Sequence, residues 1–132
     1  MTQNEKLVID FLKMLEQRKS STELLDFYHL EVEQTEFPNA LTKNKTFRSL
    51  KELRDASEKG KQVLSKELYE VKNLLSVRDT VIIECVWHGI LALPIGNIPI
   101  GGQMTAYFAQ IFEFKDGKIF RQRNYDCFEP IS

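Results

Sequence analysis

The sequence has little cysteine, no long hydrophobic run and no block of a single charge. Its two cysteines, Cys85 and Cys127, lie in predicted strands without the spacing of metal ligands. We therefore expect free thiols and a cytoplasmic location. His29, His88 and the acidic residues lack metal-ligand spacing and no Gly-rich phosphate loop opens a helix, so neither a metal nor a cofactor is expected. No apolar stretch approaches the ~18 residues that span a bilayer, so no membrane partner is expected. The polar start, residues 1–5, runs directly into a helical pattern, which argues against a signal peptide.

The charges are balanced and dispersed. The chain of 132 residues carries 18 basic and 19 acidic side chains, a net charge of −1. Nucleic-acid binding needs a basic patch or stripe, so no nucleic-acid partner is expected. A hydrophobic share of 42% with 28% charged residues is typical of a folded globular protein. Without repeats, linkers or low-complexity segments, residues 1–132 are predicted to form a single domain.

Helical patterns occupy the first half of the chain. Apolar residues recur at helical spacing over about residues 4–18, which predicts an amphipathic helix. Ser20 with Glu23 has the spacing of a capping box and predicts a short second helix that ends near His29. Ser49 with Glu52 predicts a third helix, for which Gly60 is a plausible stop. Residues 31–37 between them are a strand candidate.

The second half has the period-two pattern of strands. Tyr69, Val71, Asn73, Leu75 and Val77 are predicted to share one face of a strand. Residues 80–92, 103–114 and 118–128 are further strands, and Asp116-Gly117 is a hairpin turn. Residues 94–102 form an apolar loop. Helices followed by antiparallel strands predict an α+β fold.

Two segments resemble the nuclear transport factor 2-like superfamily. Residues 112–126 are similar to the SnoaL-like pattern of a strand, an Asp-Gly turn, Lys-Ile and an Arg-x-Tyr strand. Residues 84–89 are similar to the Glu-x-Val-Trp-x-Gly strand of ketosteroid isomerase. The resemblance covers essentially the whole chain. It implies a cone-shaped roll, with three N-terminal helices packed on a curved antiparallel sheet around a conical cavity.

Placing the strands as in that superfamily sorts side chains by face. Cys85 and Trp87 then point into the cone, as do the inner residues of the next two strands, which are Phe108, Gln110, Phe112, Phe114, Gln122, Asn124 and Asp126. Few polar groups among many apolar ones is the composition of a small-molecule pocket. The candidate ligand-binding residues are Asn124, Gln122, Gln110, Trp87, Phe37, Phe108 and Phe11.

Asp126 is the candidate catalytic residue. It is the only inward carboxylate on these three strands, and burial in an apolar cavity raises the pKa of a carboxyl group toward neutrality. The alternative is that Asp126 only accepts hydrogen bonds from neighbouring polar groups. The sequence leaves both readings open.

The best-known chemistry of the fold is disfavoured by three substitutions. A ketosteroid isomerase would have an aspartate before Pro38, a tyrosine on the first helix and an inward carboxylic acid. Phe37, Phe11 and Gln110 stand at those positions. An epoxide hydrolase of this superfamily would place its terminal aspartate at Cys127. The resemblance therefore favours the SnoaL-like class, in which one aspartate acts as general acid and base.

Three functions stay open at this point. The first is a cofactor-free isomerase, cyclase or lyase that acts on a small, apolar molecule, expected to be cyclic. The second is a non-catalytic protein that binds such a molecule. The third is an interaction module that uses an outer surface. A homodimer through the outer sheet face, near Val86, His88, Arg123 and Tyr125, is expected with any of them.

Overall fold

Three helical segments precede the long strands. The computed structural model describes residues 1–132 and has helix α1 (Gln3–Gln17), a 3₁₀ helix (Ser21–Asp26) and helix α2 (Leu50–Val63). Each begins with a capping box, in which the N-cap hydroxyl and the N3 glutamate satisfy backbone N–H groups at the helix start. Two of these boxes are those predicted from Ser20 and Ser49, and the third pairs Thr2 with Glu5.

A six-stranded curved sheet follows. Its strands are β1 (Tyr28–Glu36), β2 (Thr46–Arg48), β3 (Leu64–Val77), β4 (Thr80–Leu91), β5 (Gln103–Lys115) and β6 (Lys118–Phe128). The spatial order is β2-β1-β6-β5-β4-β3. The predicted α+β class is confirmed, and the last three strands lie within about two residues of the predicted ranges. Asp116 and Gly117 have φ angles of 53° and 75°, the left-handed values that a tight hairpin turn requires.

The sheet differs from the prediction at its first strand. β1 pairs with β6 in parallel, while every other pair is antiparallel. β1 also begins at Tyr28, so Tyr28 and His29 belong to the strand and not to the second helix. The three-residue β2 was not predicted, because so short an edge strand has no periodicity of its own.

Two further predictions are wrong for local reasons. A bulge between Val71 and Asn73 reverses the face of the rest of β3, so Leu75 and Val77 are 64% and 69% exposed. Helix α2 continues past Gly60 to Val63. Gly60 is instead a point of close approach, because a Cβ atom there would lie 2.1 Å from the Arg18 guanidinium.

The hydrophobic core lies between the helices and the inner face of the sheet. Phe112 is fully buried and its ring meets the ring of Phe11 edge-on at 6.0 Å. Val8, Ile83 and Ile119 are also inaccessible to solvent. None of the helices combines the length and the apolar composition that a bilayer-spanning helix requires. The core fills one part of the space under the helices and leaves the other part open.

Candidate functional site

A cavity of about 340 Å³ lies between the helices and the inner face of the sheet. This volume is near the lower end of the range for small-molecule sites, and more than half of the lining residues are apolar. Every strand contributes at least one residue. The polar side chains of the wall from β1, β2, β5 and β6 are Gln34, Glu36, Arg48, Gln110, Gln122, Asn124 and Asp126.

The structure brings seven of the eight candidate residues together. The lining includes Asp126, Asn124, Gln122, Gln110, Trp87, Phe108 and Phe11. Phe37 is the exception. Alternation along β1 turns Gln34 and Glu36 inward, so Phe37 lies outside the cavity and stacks on the Tyr125 ring at 4.4 Å. Its expected place in the site is therefore wrong.

Asp126 is the one carboxylate of the cavity without a cationic partner. Its Oδ1 atom accepts a hydrogen bond from Gln110 Nε2 at 3.3 Å. Burial raises the pKa of Asp126 to about 7, and the negative charge of Glu36 adds to the rise, while the Gln110 hydrogen bond opposes it. Near neutral pH the side chain is therefore present both as acid and as carboxylate.

Glu36 is the neighbouring carboxylate and is ionised. Burial by itself would raise its pKa, but hydrogen bonds from Asn39 and Arg48 outweigh burial and hold the pKa below the ordinary value. Arg48 Nη1 lies 2.6 Å from Glu36 Oε1 and also donates to Gln34 Oε1 at 3.2 Å. The pKa of Asp126 is thus raised above its ordinary value and that of Glu36 is lowered below its own. Carboxyl groups with pKa values shifted apart in this way are typical of acid–base sites.

A hydrogen-bond chain fixes the amides beside Asp126. The buried Tyr28 hydroxyl donates to Gln122 Oε1 at 2.5 Å, and Gln122 Nε2 donates to Asn124 Oδ1 at 2.9 Å. These bonds orient the Asn124 amide, whose nitrogen donates to no protein group, and Asn124 is a lining residue of the cavity. Asn124 therefore offers a hydrogen-bond donor to a ligand next to Asp126.

A second group of polar residues lies across the cavity, on the side of β3 and β4. Glu67 is buried and accepts hydrogen bonds from Arg18, Tyr69 and Trp87. The Trp87 ring stacks on Phe108 with a centroid distance of 5.7 Å. This side of the cavity is an aromatic wall supported by an ion pair.

The apolar loop forms part of the cavity rim. Ile95 lines the cavity, and both Ile95 and Ile98 pack against the core. Ile100 points away and is 66% exposed. The C-terminal segment holds the loop in place, because the backbone carbonyl oxygen of Ile131 accepts a hydrogen bond from the backbone N–H of Asn97 at 2.7 Å.

Sequence reasoning missed four charged residues of the cavity. Glu67 lies two positions before Tyr69 on the same strand, and Glu36 lies one position before Phe37. Strand alternation could therefore have predicted that both glutamates face the cavity. Periodicity could not predict Arg18 and Arg48, because each lies at the end of an element. Their orientation depends on the ion pairs with Glu67 and Glu36. No cluster of three or more His, Cys, Asp or Glu side chains is arranged to hold a metal.

No protein-family model matches the sequence, and no curated protein matches it either. Solved structures do match. AclR from Streptomyces galilaeus, a candidate hydroxylase, superposes with a TM-score of 0.78 and 13% identity over 96% of this chain and 80% of its own. IdmH from Streptomyces antibioticus, a candidate polyketide cyclase, gives 0.78 and 12% identity over 95% and 92% of the two chains.

A SnoaL-like polyketide cyclase from Agrobacterium tumefaciens gives a TM-score of 0.71 and 16% identity, with 96% of this chain and 92% of that chain covered. At such low identity these matches show the fold alone. The chain has the fold of nuclear transport factor 2-like proteins. The matched proteins differ in their assigned chemistry, and a shared fold does not determine function.

Proposed function

We propose that the cavity binds a small, largely apolar, cyclic molecule and that Asp126 exchanges a proton with it without a cofactor. The observation that carries this proposal is the contrast between the carboxyl groups of the cavity. Glu36 and Glu67 each have an arginine partner, whereas Asp126 has none and has a pKa raised to about 7 by burial. A group with a pKa near the working pH is well suited to both accept and return a proton.

The neighbours of Asp126 supply the orientation that proton transfer needs. Asn124 presents an unused N–H donor, and Gln110 is fixed by its hydrogen bond to Asp126. A carbonyl or hydroxyl oxygen of the ligand can accept from Asn124 while a C–H or O–H faces Asp126. Trp87 and Phe108 provide the flat apolar surface for the rest of the molecule. We infer a reaction of the isomerase, cyclase or lyase type.

Deuterium exchange tests the proposal without knowledge of the substrate. β-Tetralone is a bicyclic ketone with acidic protons next to its carbonyl, and exchange of those protons in D₂O is followed by NMR. We expect the protein to accelerate exchange, with a rate that rises as pH increases through about 7, where Asp126 becomes a carboxylate. Asp126→Asn should remove the acceleration, whereas Asp55→Asn, a change of an exposed aspartate on α2, should retain it. Equal acceleration by wild type and Asp126→Asn would refute the role of Asp126.

Binding without chemistry is the second candidate. It is favoured by the hydrogen bond from Gln110 to Asp126, since this bond already gives the carboxyl group a structural partner. It predicts that β-tetralone raises the melting temperature equally from pH 5 to pH 8 with no exchange. An interaction module without a ligand is less well supported, because the aromatic residues do not fill the cavity.

We further propose that the protein is cytoplasmic, since Cys85 and Cys127 are free thiols.

We also propose that two copies of the chain associate through the outer sheet face. Tyr107 and Tyr125 are 49% and 43% exposed on adjacent strands, and Leu75 is 64% exposed on the same face. Exposed apolar groups gathered on one face are typical of an interface. Sedimentation velocity should give a dimer for wild type and a monomer for Tyr107→Asp. A wild-type monomer at about 100 µM would refute the dimer, since interfaces of standard size have dissociation constants from micromolar to picomolar.

A further inference from the structure

A buried ion pair closes the cavity on the side of β3. Arg18 Nη2 donates to Glu67 Oε1 at 3.1 Å, and Arg18 Nε lies 2.7 Å from Glu67 Oε2. The two side chains are only 18% and 5% exposed. Arg18 is the C-cap of α1 with a left-handed φ of 35°, and this backbone turn directs its side chain toward α2 and β3. The pair therefore joins three elements at one point.

Glu67 also fixes the aromatic wall. Its Oε1 atom accepts from Trp87 Nε1 at 3.1 Å and from the Tyr69 hydroxyl at 3.3 Å. The Trp87 ring reaches Glu67 by lying over Gly89, where a Cβ atom would come within 2.5 Å of the ring. The orientation of the Trp87 and Tyr69 rings thus depends on the Glu67 carboxylate.

Beyond the pair lies a second, polar depression of about 210 Å³. Residues that line only this depression are Glu16, Gln17, Lys61, Ser65 and Lys66. Arg18, Gly60, Leu64 and Glu67 line both the depression and the cavity. The ion pair is consequently a partition between an apolar space and a polar one. It is thin, because the same few residues, with the ion pair at their centre, border both spaces.

We propose that the Arg18–Glu67 partition determines the maximum length of the ligand that the cavity accepts, with Glu67 as a positioning residue for Trp87. This rests on the proposed binding of an apolar molecule. A ligand whose oxygen is held by Asn124 and Asp126 extends along the aromatic wall until it meets the ion pair. A longer apolar chain must displace two paired charges or stop short, and an uncompensated buried charge is strongly unfavourable.

A homologous series of 4-alkylcyclohexanols measures this limit. Trp87 is the only tryptophan, so its emission reports binding directly. In wild type we expect each added methylene to tighten binding about fourfold, the equivalent of ~0.8 kcal/mol per buried CH₂, until the chain reaches the partition. Beyond that length, affinity should stop rising or fall.

The partition is removed by the double variant Arg18→Gly/Glu67→Ala. Both charges are lost together, and glycine suits the left-handed backbone at position 18. The length limit should move by two or more methylenes, so that the first alcohols rejected by wild type bind at least tenfold more tightly. Lys61→Ala is the matched control, since it changes the charge of the depression without touching the partition, and its limit should equal that of wild type.

An unchanged length limit in the double variant overturns the proposal, as does a shift of equal size in Lys61→Ala. If the double variant does not fold, Arg18→Gly/Glu67→Gln removes both charges but keeps the Oε1 acceptor of Trp87 and Tyr69, and it is judged by the same criteria. Acrylamide quenching of Trp87 emission in the ligand-free protein is an independent test of the partition. Quenching should increase severalfold in the double variant, and unchanged quenching refutes the partition. Failure of wild type to bind any alcohol would refute the proposed function alone.

Discussion

The substitution Asp126→Asn should change how stability depends on pH. Asparagine keeps the shape of the side chain and the Oδ1 atom that accepts from Gln110, but it cannot ionise. In wild type, burial raises the pKa of Asp126 from an ordinary value of 3.8 to about 7. Between these two values the folded state holds a proton that the unfolded state has lost. The free energy of unfolding of wild type therefore falls as pH rises through this window.

The size of the effect follows from the width of the window. Each pH unit within the window lowers the free energy of unfolding by about 1.4 kcal/mol. Across the full window, from 3.8 to about 7, the loss is therefore at most about 4 kcal/mol. Solvent relieves part of the burial cost, because Asp126 is only partly buried. From pH 5 to pH 8 we expect wild type to lose about 2–3 kcal/mol relative to Asp126→Asn, nearly all of it below pH 7.

Urea unfolding followed by Trp87 emission measures this difference. The free energies of unfolding of wild type, Asp126→Asn and the exposed control Asp55→Asn are compared at half-unit steps from pH 5 to pH 8. The difference between wild type and Asp126→Asn should grow with pH and level off near pH 7. The control should follow wild type throughout. Parallel curves for wild type and Asp126→Asn would show that the carboxyl group titrates alike in both states, which refutes its desolvation.

Three further substitutions test individual contacts. Alanine in place of glycine inside a helix usually stabilises by up to ~1 kcal/mol, but Gly60→Ala should destabilise by about 1–2 kcal/mol because the new methyl group displaces Arg18. In an Arg18→Gly background the sign should reverse in the same urea titration, and a persistent loss there would contradict this cause. Tyr28→Phe removes the buried donor to Gln122 and should cost about 1–3 kcal/mol by thermal unfolding; a neutral effect would mean that water replaces the hydroxyl. Phe112→Ala should cost about 3–5 kcal/mol in urea, and a loss below 1 kcal/mol would place the ring outside the core.

Local chemistry made most of the architecture predictable. Capping boxes depend on residues three positions apart, so Ser20 and Ser49 could be identified without any tertiary information. The turn at Asp116-Gly117 is equally local, since it needs left-handed backbone angles that these two residues adopt readily. Strand alternation, with the inner face assigned from the resemblance to ketosteroid isomerase, then sorted β4, β5 and β6 correctly and turned Asp126 toward the cavity.

The same alternation failed where a local irregularity intervened. A bulge in β3 inserts one residue and reverses the face of Leu75, and nothing in the composition of the strand marks its position. On β1, the resemblance to steroid isomerases predicted that Phe37 belongs to the site. Alternation along the strand instead turns Glu36 toward the cavity. A shift of one residue exchanges the two faces of a strand, so small errors of register have large consequences for a site.

The sequence by itself determined the fold class and the fact that Gln122, Asn124 and Asp126 share one strand face, and the family resemblance identified that face as the inner one. Only the tertiary structure decided which carboxylates are paired. Parallel pairing of β1 with β6 brings Glu36 near Asp126, and the left-handed turn at Arg18 carries its guanidinium to Glu67, 49 residues away along the chain. Periodicity describes a single element, whereas the charge state of a buried group depends on every element that packs around it.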